Sequence, residues 1–154
     1  MGNMLEAIAG AVERAHPTIK VTAAEGRAGH KATRWALDAV IGAVVEALDH
    51  RVSYETGLHA VWRLVTMADT HGDDLTDRVF VPHREDVERL LVSHTGLDAR
   101  AVGELLPAVV AVYVQYLQRR LTLERLDLEG LREAIGAESQ EVANAGAIVD
   151  LTTI

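Results

Sequence analysis

The residues of this 154-residue chain that could do chemistry are seven histidines, an acidic loop, three serines and a pair of arginines. Zinc needs two or three converging ligands, commonly an i, i+4 pair on one helix face. His16, His30, His50, His59, His71, His83 and His94 contain no such pair. His83 and His94 stand eleven apart, about three turns along one face and too far for one ion. The spacing puts His94 on an apolar stripe near a helix end, where it reads as partly buried against the last carbonyls. Asp69, His71, Asp73, Asp74 and Asp77 have the composition of a cation site but not the spacing of a calcium loop. Asp69 reads instead as a last helical turn, and Asp73 or Asp74 as a cap.

Ser53, Ser93 and Ser139 lie in no nucleophile-elbow pattern, and the glycines form no phosphate loop. With no cysteine there is no thiol nucleophile, disulfide or cysteine-based zinc site. No catalytic residue, metal or cofactor is therefore expected.

Arg119 and Arg120 belong to the one segment that suggests DNA. Pro82 to Leu121 reads as a helix, a turn through Thr95-Gly96, a short helix and a longer one, which resembles a helix-turn-helix. A DNA-reading face needs exposed Arg, Lys, Asn or Gln. The short helix offers Arg100 between Asp98 and Glu104, and the long one offers Gln115, Gln118, Arg119 and Arg120 only near its end. The chain carries 15 basic and 23 acidic residues, a net charge of −8. Nucleic acid is on that ground an unlikely partner.

Another candidate surface is the tail. Ile148, Val149, Leu151 and Ile154 make residues 147–154 nearly apolar after a polar stretch. An ordered tail of this kind must dock, and docking on a second copy would build a homo-oligomer.

The elements that must position these residues are helices. The chain is 49% hydrophobic, only 4% aromatic and contains 23 alanines. A helix is expected from Met4 to His16, stopped by Pro17. Leu37, Val40, Ile41, Val44, Val45, Leu48 and Val52 place one apolar stripe along a helix from Ala32 to Arg51. Ser53 reads as the cap of the next helix, which buries Leu58, Val61, Trp62 and Val65, shows Glu55, His59, Arg63 and Thr66 to water, and ends at His71-Gly72. One further turn is expected at Asp74 to Val79. A helix opened by Pro82 buries Val87, Leu90 and Leu91 and ends at Gly96. Asp98 caps a short helix, and Pro107 predicts a break or bend before a central apolar helix over Ala108 to Leu121. Asp127 caps a last helix to about Gly136. Glu85–Arg89 and Arg125–Glu129 read as surface i, i+4 pairs.

The longest uncharged run, Leu105 to Gln118, has 14 residues, short of the roughly 20 of a membrane span. The N-terminus lacks the basic segment of a signal peptide, so a cytoplasmic location is expected.

The run EDVERLLVSHTGLDARAVGELLPAVVAVYVQYLQ, residues 85–118, resembles the YidB-like family of bacterial proteins of unknown function. The resemblance rests on the Thr95-Gly96-Leu97 turn, the helix opened by Asp98, the Leu105-Leu106-Pro107 junction before an apolar helix, and the later Leu128-Glu129-Gly130-Leu131 turn. Looser matches reach from residue 30 to 137. It implies an all-helical fold with a homeodomain-like part and supplies no activity or catalytic residue. The apolar helix with Tyr113, Gln115 and Tyr116, and the tail, depart from the family pattern.

The combined expectation is a compact all-α domain of six to eight helices over 1–137. Residues 1–81 form N-terminal helices and 82–137 a YidB-like core with a homeodomain-like three-helix unit at 82–121. Residues 138–154 form a tail. The function this suggests is a non-enzymatic protein–protein interaction or self-assembly module. A degenerate helix-turn-helix protein that binds or regulates nucleic acid is the alternative, and an unrecognised enzyme the third reading.

Overall fold

The computed structural model describes residues 4–15, 29–67, 72–80 and 83–146. These form seven helices: α1 (Met4–Ala15), α2 (Gly29–Val52), α3 (Glu55–Met67), α4 (Gly72–Val79), α5 (Arg84–Thr95), α6 (Ala99–Glu124) and α7 (Leu128–Asn144). The fold is all-α. Two helices organise it: α2 packs against α1, α3, α4, α5, α6 and α7, and α6 against α1 to α5. The α2 stripe predicted from periodicity is wholly buried, from Leu37 to Val52.

Helix ends follow local chemistry in most places. Gly96 adopts φ 75°, and its N–H donates to the Val92 carbonyl to close α5. Asp98 accepts the Ala101 N–H at 2.7 Å and Asp127 the Gly130 N–H at 2.8 Å, so both act as N-caps. Ser53 does not cap α3. Its hydroxyl donates to the His50 carbonyl at 2.5 Å and finishes α2 instead. The Tyr54 carbonyl accepts the first α3 bond, from Leu58 N–H. The corner is tight enough to demand glycine: a Cβ on Gly57 would lie 2.0 Å from the Arg51 carbonyl oxygen.

Two expected helix ends give way to burial. Pro107 lies inside α6, which runs unbroken for 26 residues. Residues 83–124 therefore hold two helices, and the separate short helix expected between Asp98 and Pro107 is absent there. An interior proline costs about 3 kcal/mol. Leu105, Leu106, Val109 and Val110 around it are each 1% exposed or less, and each contributes roughly 1.5–3 kcal/mol by leaving water. Continuing the helix keeps all four in one core. Likewise α7 passes Gly136 and continues to Asn144, because Glu138 and Val142 extend the buried stripe of Leu131 and Ile135. By length and composition α6 could cross a membrane, and half of its apolar stretch is buried inside this fold.

Candidate functional site

Besides Tyr113, three polar or charged side chains are buried among the described residues: Thr76, Thr95 and Glu138. Thr95 is satisfied locally. Its hydroxyl donates to the Leu91 carbonyl at 2.6 Å and accepts from the Leu97 N–H at 3.2 Å. Glu138 is the single carboxylate in that group, 3% exposed on the inner stripe of α7.

The partners of Glu138 come from one face of α6. Tyr113, Tyr116 and Arg120 recur at i, i+3 and i+7, the spacing that lines up side chains on a helix. The Tyr113 hydroxyl, itself fully buried, donates to Glu138 Oε1 at 2.7 Å. Tyr116 stacks on Tyr113 with ring centroids 6.3 Å apart. Arg120 Nη1 lies 3.6 Å from Glu138 Oε2, an ion pair too long for a hydrogen bond. Oε2 has no hydrogen-bond partner among the described residues. Arg120 is meanwhile gripped from the solvent side, where Nε and Nη2 donate to the two Glu124 oxygens at 2.7 and 3.0 Å.

Burial and hydrogen bonding set the protonation of this group. Desolvation pushes the Glu138 carboxyl up to about 7, against the pull of the Tyr113 hydrogen bond and the Arg120 charge. Glu141, one turn on, adds repulsion in the same direction as burial. Burial, reinforced by Glu138, holds the Tyr113 hydroxyl well above the usual phenol range. The cluster is thus an acid that titrates near neutrality beside a phenol that stays protonated. α1, α6 and α7 contain no histidine.

A second feature lies at the other end of α7. Leu58, His59 and Trp62 of α3 and Leu128 of α7 line an open, shallow groove of about 550 Å³, rimmed by Glu55, Asp127 and Glu129. Asp127 is occupied by capping, and Glu129 meets Arg132 at 3.1 Å.

The residues singled out in the sequence distribute as follows. Arg120 is committed to Glu124 and Glu138, so it does not present a free cation beside exposed Arg119. His94 is exposed, not partly buried, and stacks on Trp35 at 5.3 Å. The α5 and α7 ion pairs are also shifted: Arg89 bonds Asp86 in place of Glu85, and Glu129 bonds Arg132 in place of Arg125. Arg125 sits at φ 51° as the α6 C-cap. Among the described residues no three His, Asp or Glu side chains gather as a metal site. His16, Asp69, His71, Pro82 and the tail residues Ile148, Val149, Leu151 and Ile154 lie outside the described residues. The side chains of His30, Asp73 and Asp74 do so too.

Sequence reasoning passed over Glu138, which it placed in the polar tail. The available signal was its phase. Leu131, Ile135, Glu138 and Val142 step by 4, 3 and 4, so an acid occupies a core position of the helix. Comparison of the chain with family models, with curated proteins and with solved structures gives no match.

Proposed function

We propose that this chain is a non-enzymatic helical module that self-assembles, its apolar tail docking into the α3–α7 groove of a second copy. The observation that carries the reading is the groove itself, with half-buried Trp62 and Leu128 as its apolar walls over buried Leu58. A groove with apolar walls gives a few apolar side chains a place to leave water. Chain reach favours a second copy over the same one. From Leu128 to Ala145 is about 26 Å of helix, and eight extended residues span at most about 27 Å. The chain's own tail would have to lie fully stretched along α7 with nothing left to turn. Ile148, Val149, Leu151 and Ile154 would supply the apolar side chains.

Membership of the YidB-like family, in a bacterial cytoplasm, belongs to the same proposal. It draws support from the Thr95-Gly96-Leu97 turn, the Asp98 cap and the Leu128-Glu129-Gly130-Leu131 segment, which fall at helix boundaries. The nucleic-acid alternative draws less, since Arg120 is already bonded and the charge is −8.

Solution mass against concentration tests the assembly. A multiple of 16.7 kDa that falls to the monomer on deletion of residues 147–154 is expected. A monomer at every concentration, or an assembly indifferent to the deletion, overturns it.

A further inference from the structure

We infer that Glu138 is a proton-operated latch for α1: with the carboxyl neutral α1 is docked firmly, and its ionisation loosens that helix. This goes beyond the self-assembly reading and rests on other residues.

The first link is the geometry of the buried acid. Ionised, Glu138 has the Tyr113 hydrogen bond, weaker help from the Tyr116 hydroxyl, and one cation at 3.6 Å that is shared with Glu124. Its Oε2 has no hydrogen-bond partner among the described residues, and the side chain is 4% exposed. A buried anion with so few partners is unfavourable, and a proton removes the cost. The second link is the next turn of α7. Glu141 Oε2 accepts the Leu5 backbone N–H at 3.0 Å. Leu5 is in the first turn of α1, where N–H groups lack helical partners and a carboxylate is favoured by the helix dipole. The carboxylate that holds α1 therefore stands one turn from the acid that titrates, and the two repel when both are charged.

The remaining groups at this junction act in the same sense or are engaged elsewhere. From α6 come Tyr113, Tyr116 and Arg120, with Glu124 behind Arg120. From α2, Glu46 meets Ser139 at 3.5 Å, and Asp49 lies beside Gly136. Asp38 of α2 pairs with Arg34, and its carboxyl is raised by burial first, with Glu13 and Glu6 of α1 adding repulsion. Docking α1 thus brings its two carboxylates toward an acid on α2 as well as its N-terminus toward Glu141. A proton on Asp38 relieves the first, and a proton on Glu138 leaves the Glu141 carboxylate unopposed at the second. Loosening α1 would uncover Met4, Leu5, Ile8, Ala9 and Val12, the buried stripe that now seals α6 and α7.

Hydrogen exchange of the full chain tests the latch. After correction for intrinsic rates, α1 amides should lose about tenfold in protection relative to α3 between about pH 6 and about pH 8. Glu138→Gln, which keeps an acceptor for Tyr113 without a charge, should hold the pH 6 level at both. Equal wild-type ratios at the two pH values, or the same loss in Glu138→Gln, overturn the inference. Should that variant not fold, the wild type still decides. The Glu138 carboxyl carbon and the Leu5 and Ile8 methyls should titrate together in NMR spectra, with one midpoint above the usual carboxylate range. An ordinary Glu138 midpoint, or α1 methyls that do not follow it, overturns the latch equally.

Discussion

On α5, Arg84, Asp86, Glu88 and Arg89 form ion pairs with water around most of them; between α6 and α7, Arg120 and Glu138 form one at the edge of the core. The residue types are the same. Arg84 meets Asp77 at 2.7 Å and Glu88 at 2.9 Å, Arg89 meets Asp86, and the Asp86 and Arg89 side chains are 46% and 75% exposed. The Glu138 side chain is 4% exposed, and its closest cation among the described residues is farther away, at 3.6 Å. The Asp86–Arg89 contact matters less, because water solvates those charges whether or not they pair. The longer contact matters more, because little else offsets the removal of Glu138 from water. Distance alone would rank the two regions the wrong way round.

The largest break in this comparison should come from Arg120→Ala. It leaves Glu138 without its cation, and at about pH 8.5 the carboxyl escapes by taking up a proton at a cost of about 2 kcal/mol, to which the lost packing of the Arg120 stem adds. The cost should shrink at about pH 5.5, where the carboxyl already holds a proton. Denaturant unfolding at the two pH values reads both numbers, and an equal loss at each would mean that Arg120 acts by packing.

An effect of the same order is expected from pH itself. Folded Glu138 titrates at about 7 against 4.5 for the free side chain. The folded chain therefore holds this proton more tightly than the unfolded one. Its contribution to stability is full below the unfolded value, declines as pH rises, and is gone above about pH 7. The span is roughly 3 kcal/mol. Subtracting the profile of Glu138→Gln from that of the wild type isolates it. A flat difference would mean that burial does not raise the Glu138 carboxyl.

The smallest effect belongs to α5. Arg89→Ala removes a surface pair and should change stability by no more than about 0.5 kcal/mol, less in high salt. A loss comparable to that of Arg120→Ala would erase the distinction between the two regions.

Much of the architecture was legible in the residues. The stripe of α2, the caps at Asp98 and Asp127 and the stop at Gly96 depend on a few neighbours in the chain, and each appears where its pattern places it. The misreadings share a cause. Ser53 carries a side chain suited to cap either adjoining helix end, and the α2–α3 corner decided that it closes α2. Pro107 and Gly136 are local stop signals outweighed by apolar residues on both sides. His94 has an apolar phase but stands beside Trp35 at the surface.

The sequence by itself determined that this chain is helical, acidic and without cysteine chemistry, because propensity, periodicity and composition are properties of short stretches. Only the tertiary structure decided that an acid 25 residues beyond Tyr113 shares its hydrogen bond. It also decided that the α1 N-terminus, 136 residues before Glu141, rests on that carboxylate. The reason is physical: a carboxyl is raised toward neutrality by removal from water and by the charges left beside it. Both are set by which helices meet.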